Sequence, residues 1–263
     1  DASPLMEKVR GLSGITPHVF ELAEKDGYLA TNSLLFDAVL IARSYEELDG
    51  SKNKLPNSID ELCIGGESVK DWIHNAEDFL NCVVKRKGII VVFSPLLRAV
   101  AADLESKLSE SALLYCQLAD IRSFAHGRHL WLAERPDDCA VLALIEPGLE
   151  RLWSDMSALF PREIPVYQMP LHGSAPRDLL TGLIAQMHLV ASIAHRIGKD
   201  PGKPNVPPFG QNIYYFDLPA VIPRPKGAVR RGEKSKYEVL GARWPSISSS
   251  GAMQRALGSF EAT

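Results

Sequence analysis

Apolar and polar positions change their spacing twice along this chain. Up to about residue 85 the spacing is helical. Asp26-Gly27 is a turn, Thr31-Asn32-Ser33 offers N-cap oxygens, and Leu34, Leu35, Ala38, Val39, Ile41 and Ala42 form a broad apolar surface. This predicts a helix buried over much of its circumference. A shorter helix is predicted at Pro17 to Glu24, Asp49 to Asn57 reads as an exposed loop, and Val69, Trp72, Ile73, Ala76, Phe79 and Leu80 predict an amphipathic helix over Ser68 to Lys85.

At Gly88 the period changes. GIIVVF, residues 88–93, is a continuous β-branched run of the kind found in strands covered on both faces, as in parallel sheets. A helix is predicted from Leu96 to Cys116, strands at Ala140 to Ile145 and Ile164 to Tyr167, and a helix between them at Gly148 to Leu159. A long apolar helix then runs from Leu179 to Ile197 and ends at Gly198. DPGKPNVPPFG reads as rigid and non-helical, NIYYF as an edge strand or arm, and the stretch from Leu218 as an extended or disordered tail. Alternating strand and helix predicts an α/β layered fold. The expected division is a mainly helical portion at 1–85, an α/β domain at 86–200 and a proline-rich, basic extension at 201–263.

Composition narrows the function classes. The chain has 263 residues, 46% apolar and 23% charged, with a formal net charge of -3, so a sizeable core is expected and no long-range pull toward nucleic acid or an anionic membrane. Arg224 to Lys236 is locally basic and reads as a solvated tail. Cys63, Cys82, Cys116 and Cys139 show no CxxC spacing and read as reduced core thiols. No apolar run reaches the roughly 18 residues of a membrane span, and a cytoplasmic location is expected. The opening residue, Asp1, reads as a trimmed or processed chain or a piece of a longer one. P-loop, HExxH, GxSxG and dinucleotide-binding patterns are not found.

The chemistry-bearing stretch is Ala101 to Arg128, AADLESKLSESALLYCQLADIRSFAHGR. On a helix Asp103, Lys107 and Glu110 share one face, while Val100, Leu104, Leu108 and Tyr115 group on another. A carboxylate titrating near about 4.3 and an imidazole near about 6.5 form a pair suited to proton transfer at neutral pH. Other readings stand beside this one. Glu110 can be a solvated carboxylate, Asp103 and Lys107 a surface pair, and His126 a turn residue. Asp120, His126 and His129 have spacings compatible with zinc but lack a fourth ligand, so no metal is expected. His188 and His195 read as core histidines.

This stretch resembles the second sugar isomerase (SIS) domain of glutamine-fructose-6-phosphate aminotransferases, whose helix ALEGALKLKE is followed at fixed distance by KHGP. Glu110 and His126 fall in register with that pattern without a gap, as do Lys107 and Asp103. KDGYLATNSLL and DPGKP resemble the flanking segments, so the resemblance spans roughly Arg86 to Gln211. It implies an SIS-type three-layer sandwich with a central, mainly parallel sheet, a helical N-terminal portion and a C-terminal arm. It implies Glu110 as the proton-shuttling base and His126 as the ring-opening group, with Asp103, Lys107 and Gly127 at the substrate, and Arg128 is read beside them as a further substrate-binding donor. Arg128 and His129 stand where the family has proline. The nearest approach to the family's Ser/Thr-rich phosphate loop is Ser13-Gly14-Ile15-Thr16, and FGQNIYY stands in place of the Schiff-base lysine segment.

The function implied is binding, with aldose-ketose isomerisation as an extension, of a phosphorylated sugar or carbohydrate derivative. No cofactor is implied, and a homodimer is, with the histidine donated between subunits. The alternative is a non-catalytic SIS module acting as a sugar-phosphate sensor or assembly subunit. A third reading is chemistry on a nucleotide-sugar or nucleoside phosphate, with Arg128 and His129 as the anion site.

Overall fold

The computed structural model describes residues 4–10, 12–15, 26–50, 55–173 and 175–216. The helix expected at Pro17 to Glu24, Thr16 and the tail from Leu218 lie outside these residues. In chain order the described elements are α1 (Pro4–Val9), α2 (Asn32–Asp49), β1 (Cys63–Ile64), β2 (Glu67–Ser68), α3 (Val69–Asn75), α4 (Glu77–Val83), β3 (Gly88–Phe93), α5 (Arg98–Glu110), β4 (Tyr115–Asp120), the single turn α6 (Ile121–Ser123), α7 (Leu130–Glu134), β5 (Cys139–Ile145), α8 (Glu150–Ser157), β6 (Val166–Pro170), α9 (Ala175–Ile197) and α10 (Pro208–Tyr214). The chain divides into two compact units. Residues 22–204 hold the sheet, and residues 1–21 with 205–263 hold α1 and α10.

The sheet has the order β4-β3-β5-β6, and every neighbouring pair is parallel. All seven residues of β5 and five of the six in β3 are buried, so both faces of the centre must be covered. Alternate residues supply the two cores. Ile89, Val91, Phe93, Ala140, Leu142 and Leu144 pack with Val100, Leu104 and Leu108 of α5 and Leu189 and Ile193 of α9. Ile90, Val92, Val141, Ala143 and Ile145 pack with Phe124, Leu132 of α7 and Trp153 of α8. The result is the expected α/β sandwich, with a helical layer on each side of a parallel sheet. Leu29, Leu62, Trp72 and Phe79, from the helical N-terminal portion, join the first of these cores. Helices α5 and α9 approach closely at Gly182, where a Cβ would lie 2.9 Å from Val100 Cγ2.

Several elements depart from the sequence pattern. The helix expected to reach Cys116 stops at Glu110, and residues 115–120 form edge strand β4 instead. LLYCQLA is a short apolar run compatible with either element, and pairing with β3 decides it. The break is made at Ala112, which takes a left-handed φ of 49°, while Ser111 Oγ donates to the Lys107 carbonyl at 2.8 Å. The amphipathic stretch after Ser68 is two helices broken at Ala76, preceded by an unanticipated hairpin whose Gly65 and Gly66 have φ values of 60° and 89°. Pro208 opens α10 within the segment read as non-helical, because proline's missing N–H costs nothing in a first turn, and the helix continues to Tyr214 through the stretch read as an edge strand or arm. Cys63 and Cys82 are exposed rather than core thiols, whereas Cys139 is buried.

Helix α2 is also less covered than its composition predicts. Leu34, Leu35 and Ala38 pack on the core, but Ile41, Tyr45 and Leu48 are exposed and Glu46 is its one buried described residue. Glu46 pairs with Arg43 at 2.9 Å and accepts from the Leu55 N–H at 2.6 Å. The expected N-cap oxygens act as donors instead. The Thr31 and Ser33 hydroxyls and the N–H groups of Thr31, Asn32 and Ser33 all donate to the Asp26 carboxylate, at 2.5 to 3.2 Å. Partial burial pushes the Asp26 carboxyl up, but the bonds from Ser33 and Thr31 outweigh it and hold the group well below the usual carboxylate range.

A depressed folded-state pKa stabilises the fold above the unfolded value near about 4, and that contribution is lost as pH falls below it. Asp26→Ala is therefore expected to cost about 1 kcal/mol at pH 7 and clearly less at pH 2.5, measured by urea unfolding at both pH values. Ala112→Gly is expected to stabilise by about 0.5 to 1 kcal/mol, read from the denaturant midpoint, because glycine adopts a left-handed φ without the Cβ penalty.

Candidate functional site

In a parallel sheet, whatever precedes a strand lies at its amino end and whatever follows lies at its carboxyl end. Helix α5 leaves the carboxyl end of β3 and returns to the amino end of β4, delivering Glu110 there. The segment carrying His126, Gly127 and Arg128 follows β4 at the carboxyl end. Six strand residues at about 3.3 Å each separate Glu110 and His126 by on the order of 17 Å within one chain. Glu110 is exposed and accepts a hydrogen bond from Ser106 Oγ.

The face assigned to Asp103, Lys107 and Glu110 is divided by α9. Lys107 is 4% exposed, and its Nζ lies 2.6 Å from Asp103 Oδ1, while Gln186 Nε2 of α9 donates to Asp103 Oδ2. Gln186 is fully buried, and its Oε1 has no partner among the described residues. Asp103 and Lys107 thus form a polar clasp between α5 and α9. The spacing rule placed them on one face with Glu110, but α9 covers that face over the first two residues and leaves the third in solvent.

After β4, Asp120 caps the α6 turn by accepting from the Ser123 N–H at 2.9 Å and from its hydroxyl. These bonds hold its carboxyl below the usual range. A kinked turn, Phe124–Arg128, follows, with non-helical backbone at Gly127. Phe124 anchors it in the core, His126 is exposed, and His129 Nδ1 lies 3.0 Å from the Phe124 carbonyl. Arg128 Nη1 donates to the Leu118 carbonyl at 2.8 Å, on the outer edge of β4. Among the described residues no group of three side chains is placed to hold a metal ion. His188 and His195 lie on the exposed side of α9, not in the core.

Between β4 and α7 lies an open groove of about 520 Å³, lined by Gln117, Gly127, Arg128, Leu130, Trp131, Glu134 and Arg135. Trp131 is half exposed, and Arg135 is largely solvent-facing with its nearest carboxylate, Asp138, 4.0 Å away. Sequence reasoning reached Gly127 and Arg128 but missed the rest of this lining. Their signal was available only as helical spacing, since Trp131, Glu134 and Arg135 fall at i, i+3 and i+4.

The carboxyl ends of β3 and β5, where the strand order reverses, are the usual ligand crevice of an open α/β sheet. Here that crevice is filled from within. Ser94 is fully buried and accepts from the Glu146 N–H at 3.0 Å, and Glu146 Oε2 accepts from the Leu96 N–H at 2.9 Å. A carboxylate of the chain itself thus occupies an N–H group that could otherwise meet an anion at the start of the α5 segment. Beyond β5 and β6, Glu150 Oε1 lies 3.2 Å from His172 Nδ1 and its Oε2 accepts from the Gly148 N–H at 2.8 Å. Asp178 is buried under Gly173, which donates to Oδ1 at 2.9 Å, while Oδ2 has no described partner. Burial pushes the Asp178 carboxyl up. None of these residues was a sequence candidate, although each charged group follows a strand end.

No family model matches the sequence, and no curated protein matches it. Among solved structures, the chain is similar to the C-terminal domain of glucosamine-fructose-6-phosphate aminotransferase from Francisella tularensis, with a TM-score of 0.44, 13% identity, and coverage of 68% of this chain and 57% of that one. It is also similar to glucosamine-6-phosphate deaminase from Thermotoga maritima, with a TM-score of 0.39, 14% identity, and coverage of 53% and 49%. A glucose-6-phosphate isomerase-like protein from Thermus thermophilus gives a TM-score of 0.39, 13% identity, and coverage of 65% and 55%. The chain spans about half the length of the structures it matches.

Removing Lys107 would leave the Asp103 carboxylate and Gln186 facing each other between two helices. Lys107→Ala is expected to destabilise by about 3 kcal/mol, measured by urea unfolding, whereas Glu110→Ala stays within about 0.5 kcal/mol of the parent.

Proposed function

We propose that this chain binds a phosphorylated sugar or a related carbohydrate derivative, with the groove beside β4 as the binding surface. The observation that carries the reading is the groove's lining: two guanidinium groups, one half-exposed indole and two planar polar side chains on a single open surface. Guanidinium forks match phosphate oxygens, the indole offers an apolar platform for the C–H face of a sugar ring, and Gln117 and Glu134 suit hydroxyl groups. Gly127 lets the ligand approach the backbone, since nothing lies within 4 Å of a Cβ built there. The volume falls within the range usual for small-molecule sites, about 300 to 1,000 Å³. The clasp of Ser94 and Glu146 at the strand-order reversal favours an anion site elsewhere, and Arg128 supplies one.

Isomerisation through Glu110 and His126 belongs to this reading in an assembly where each residue comes from a different copy, as in the homodimer that the SIS resemblance implies. The separation of the two residues along β4 within one chain supports the second reading, a non-catalytic SIS module that senses sugar phosphate or serves in an assembly.

Isothermal titration with glucose 6-phosphate and fructose 6-phosphate tests the binding. Saturable binding is expected, with Arg128→Ala weakening it by about tenfold, or about 1.4 kcal/mol, in a variant whose circular dichroism shows the fold retained. Loss of no affinity in Arg128→Ala would remove the groove from the reading, and failure of the wild-type protein to bind either compound would remove the reading itself.

A further inference from the structure

The groove beside β4 has more recognition surface than a phosphorylated monosaccharide uses. Helix α7 runs back along β4, so Arg128 stands toward the carboxyl end of the strand and Arg135, just past α7, toward its amino end. Arg128 is held in place by the Leu118 carbonyl at 2.8 Å, and Arg135 makes only a 4.0 Å approach to Asp138. Two guanidinium groups lining one groove suit a ligand that carries more than one negative charge.

One aromatic side chain, Trp131, lines the groove, and a second, Tyr115, stands on the same strand as Gln117. Trp131 is 50% exposed, although tryptophan is a residue type that folding normally covers well. It lines the groove together with Arg135, which stands just past the end of α7. Tyr115, two residues before the groove residue Gln117 and therefore on the same face of β4, is 84% exposed. Leu130 adds an exposed apolar side chain beside the indole. An exposed aromatic group in a groove that also carries guanidinium groups is a platform for a flat heterocycle, through stacking and through cation–π support from arginine. Gln117 and Glu134 can donate to and accept from the polar edge of such a ring.

We propose that the groove takes a nucleoside-diphosphate sugar, with the base stacked on Trp131, the diphosphate between Arg128 and Arg135, and the sugar toward Gly127. This inference rests on the reading that the groove binds phosphorylated carbohydrate, and it narrows the ligand class. Stacking is tolerant of base identity, so uracil and adenine derivatives both bind.

Titrations of the full chain with UDP-glucose, ADP-glucose and glucose 6-phosphate separate the possibilities. The nucleotide sugars are expected to bind on the order of tenfold tighter than glucose 6-phosphate. Trp131→Ala is expected to weaken the nucleotide sugars by about tenfold and glucose 6-phosphate by less than about threefold, with Trp131→Phe retaining most of the affinity. Saturation-transfer NMR on the unaltered protein gives a readout free of any substitution, with the H5 and H6 protons of uracil in UDP-glucose receiving the strongest transfer. Glucose 6-phosphate binding as tightly as either nucleotide sugar, or saturation confined to the sugar protons, overturns the nucleotide assignment and leaves the sugar-phosphate reading intact. No binding of any of the three overturns both.

Discussion

The parallel pairing of β3 with β5 is the constraint on which the rest of this structure depends. Two adjacent strands with almost no exposed residue need apolar cover on both sides, and the chain meets that need with α5 and α9 on one face and α7 and α8 on the other. Parallel neighbours also require each connection to travel the full length of the sheet before the next strand begins. Chain direction therefore sorts every loop to one end or the other, and with it every polar side chain that chemistry could use.

That sorting explains the layout of the candidate site. Glu110 closes a helix that runs backward along the sheet, whereas His126 opens from the forward end of β4, so close sequence spacing became distance. The same geometry gathers Glu146, Glu150 and His172 at the forward end, though His172 follows a different strand from the other two. It also lays α7 over the sheet face that carries Gln117 and Ala119, and the gap beside edge strand β4 is the groove. An edge strand left unpaired is a liability in most proteins. Here the Arg128 guanidinium takes the Leu118 carbonyl and partly closes that edge.

Much of the layered fold was legible from the residues. GIIVVF is continuous and β-branched and AVLALI is a continuous apolar run of strand length, so both read as buried strands, and the apolar stripe of Leu179 to Ile197 is long enough to read as a helix. The short elements were not legible in this way. LLYCQLA carries no period that separates strand from helix, and its conformation followed from the open edge of β3. The stretch after Ser68 reads as one helix because its apolar spacing continues across the break at Ala76. For α2, apolar composition overstated burial, since half of its apolar stripe extends past the core it packs on.

The sequence by itself determined which segments are strands buried on both faces, that helices alternate with them, and that acid, base and guanidinium groups cluster between residues 103 and 128. These are properties of local spacing and side-chain chemistry, and they survive without knowledge of partners. Tertiary structure decided what each of those groups faces. It turned Asp103 and Lys107 inward against Gln186, set Glu110 and His126 at opposite ends of β4, and joined Arg128 to Trp131 and Arg135 in one groove. The physical reason is that burial and proximity depend on which element covers which face, and here α9 and α7 make that choice from positions distant in the chain.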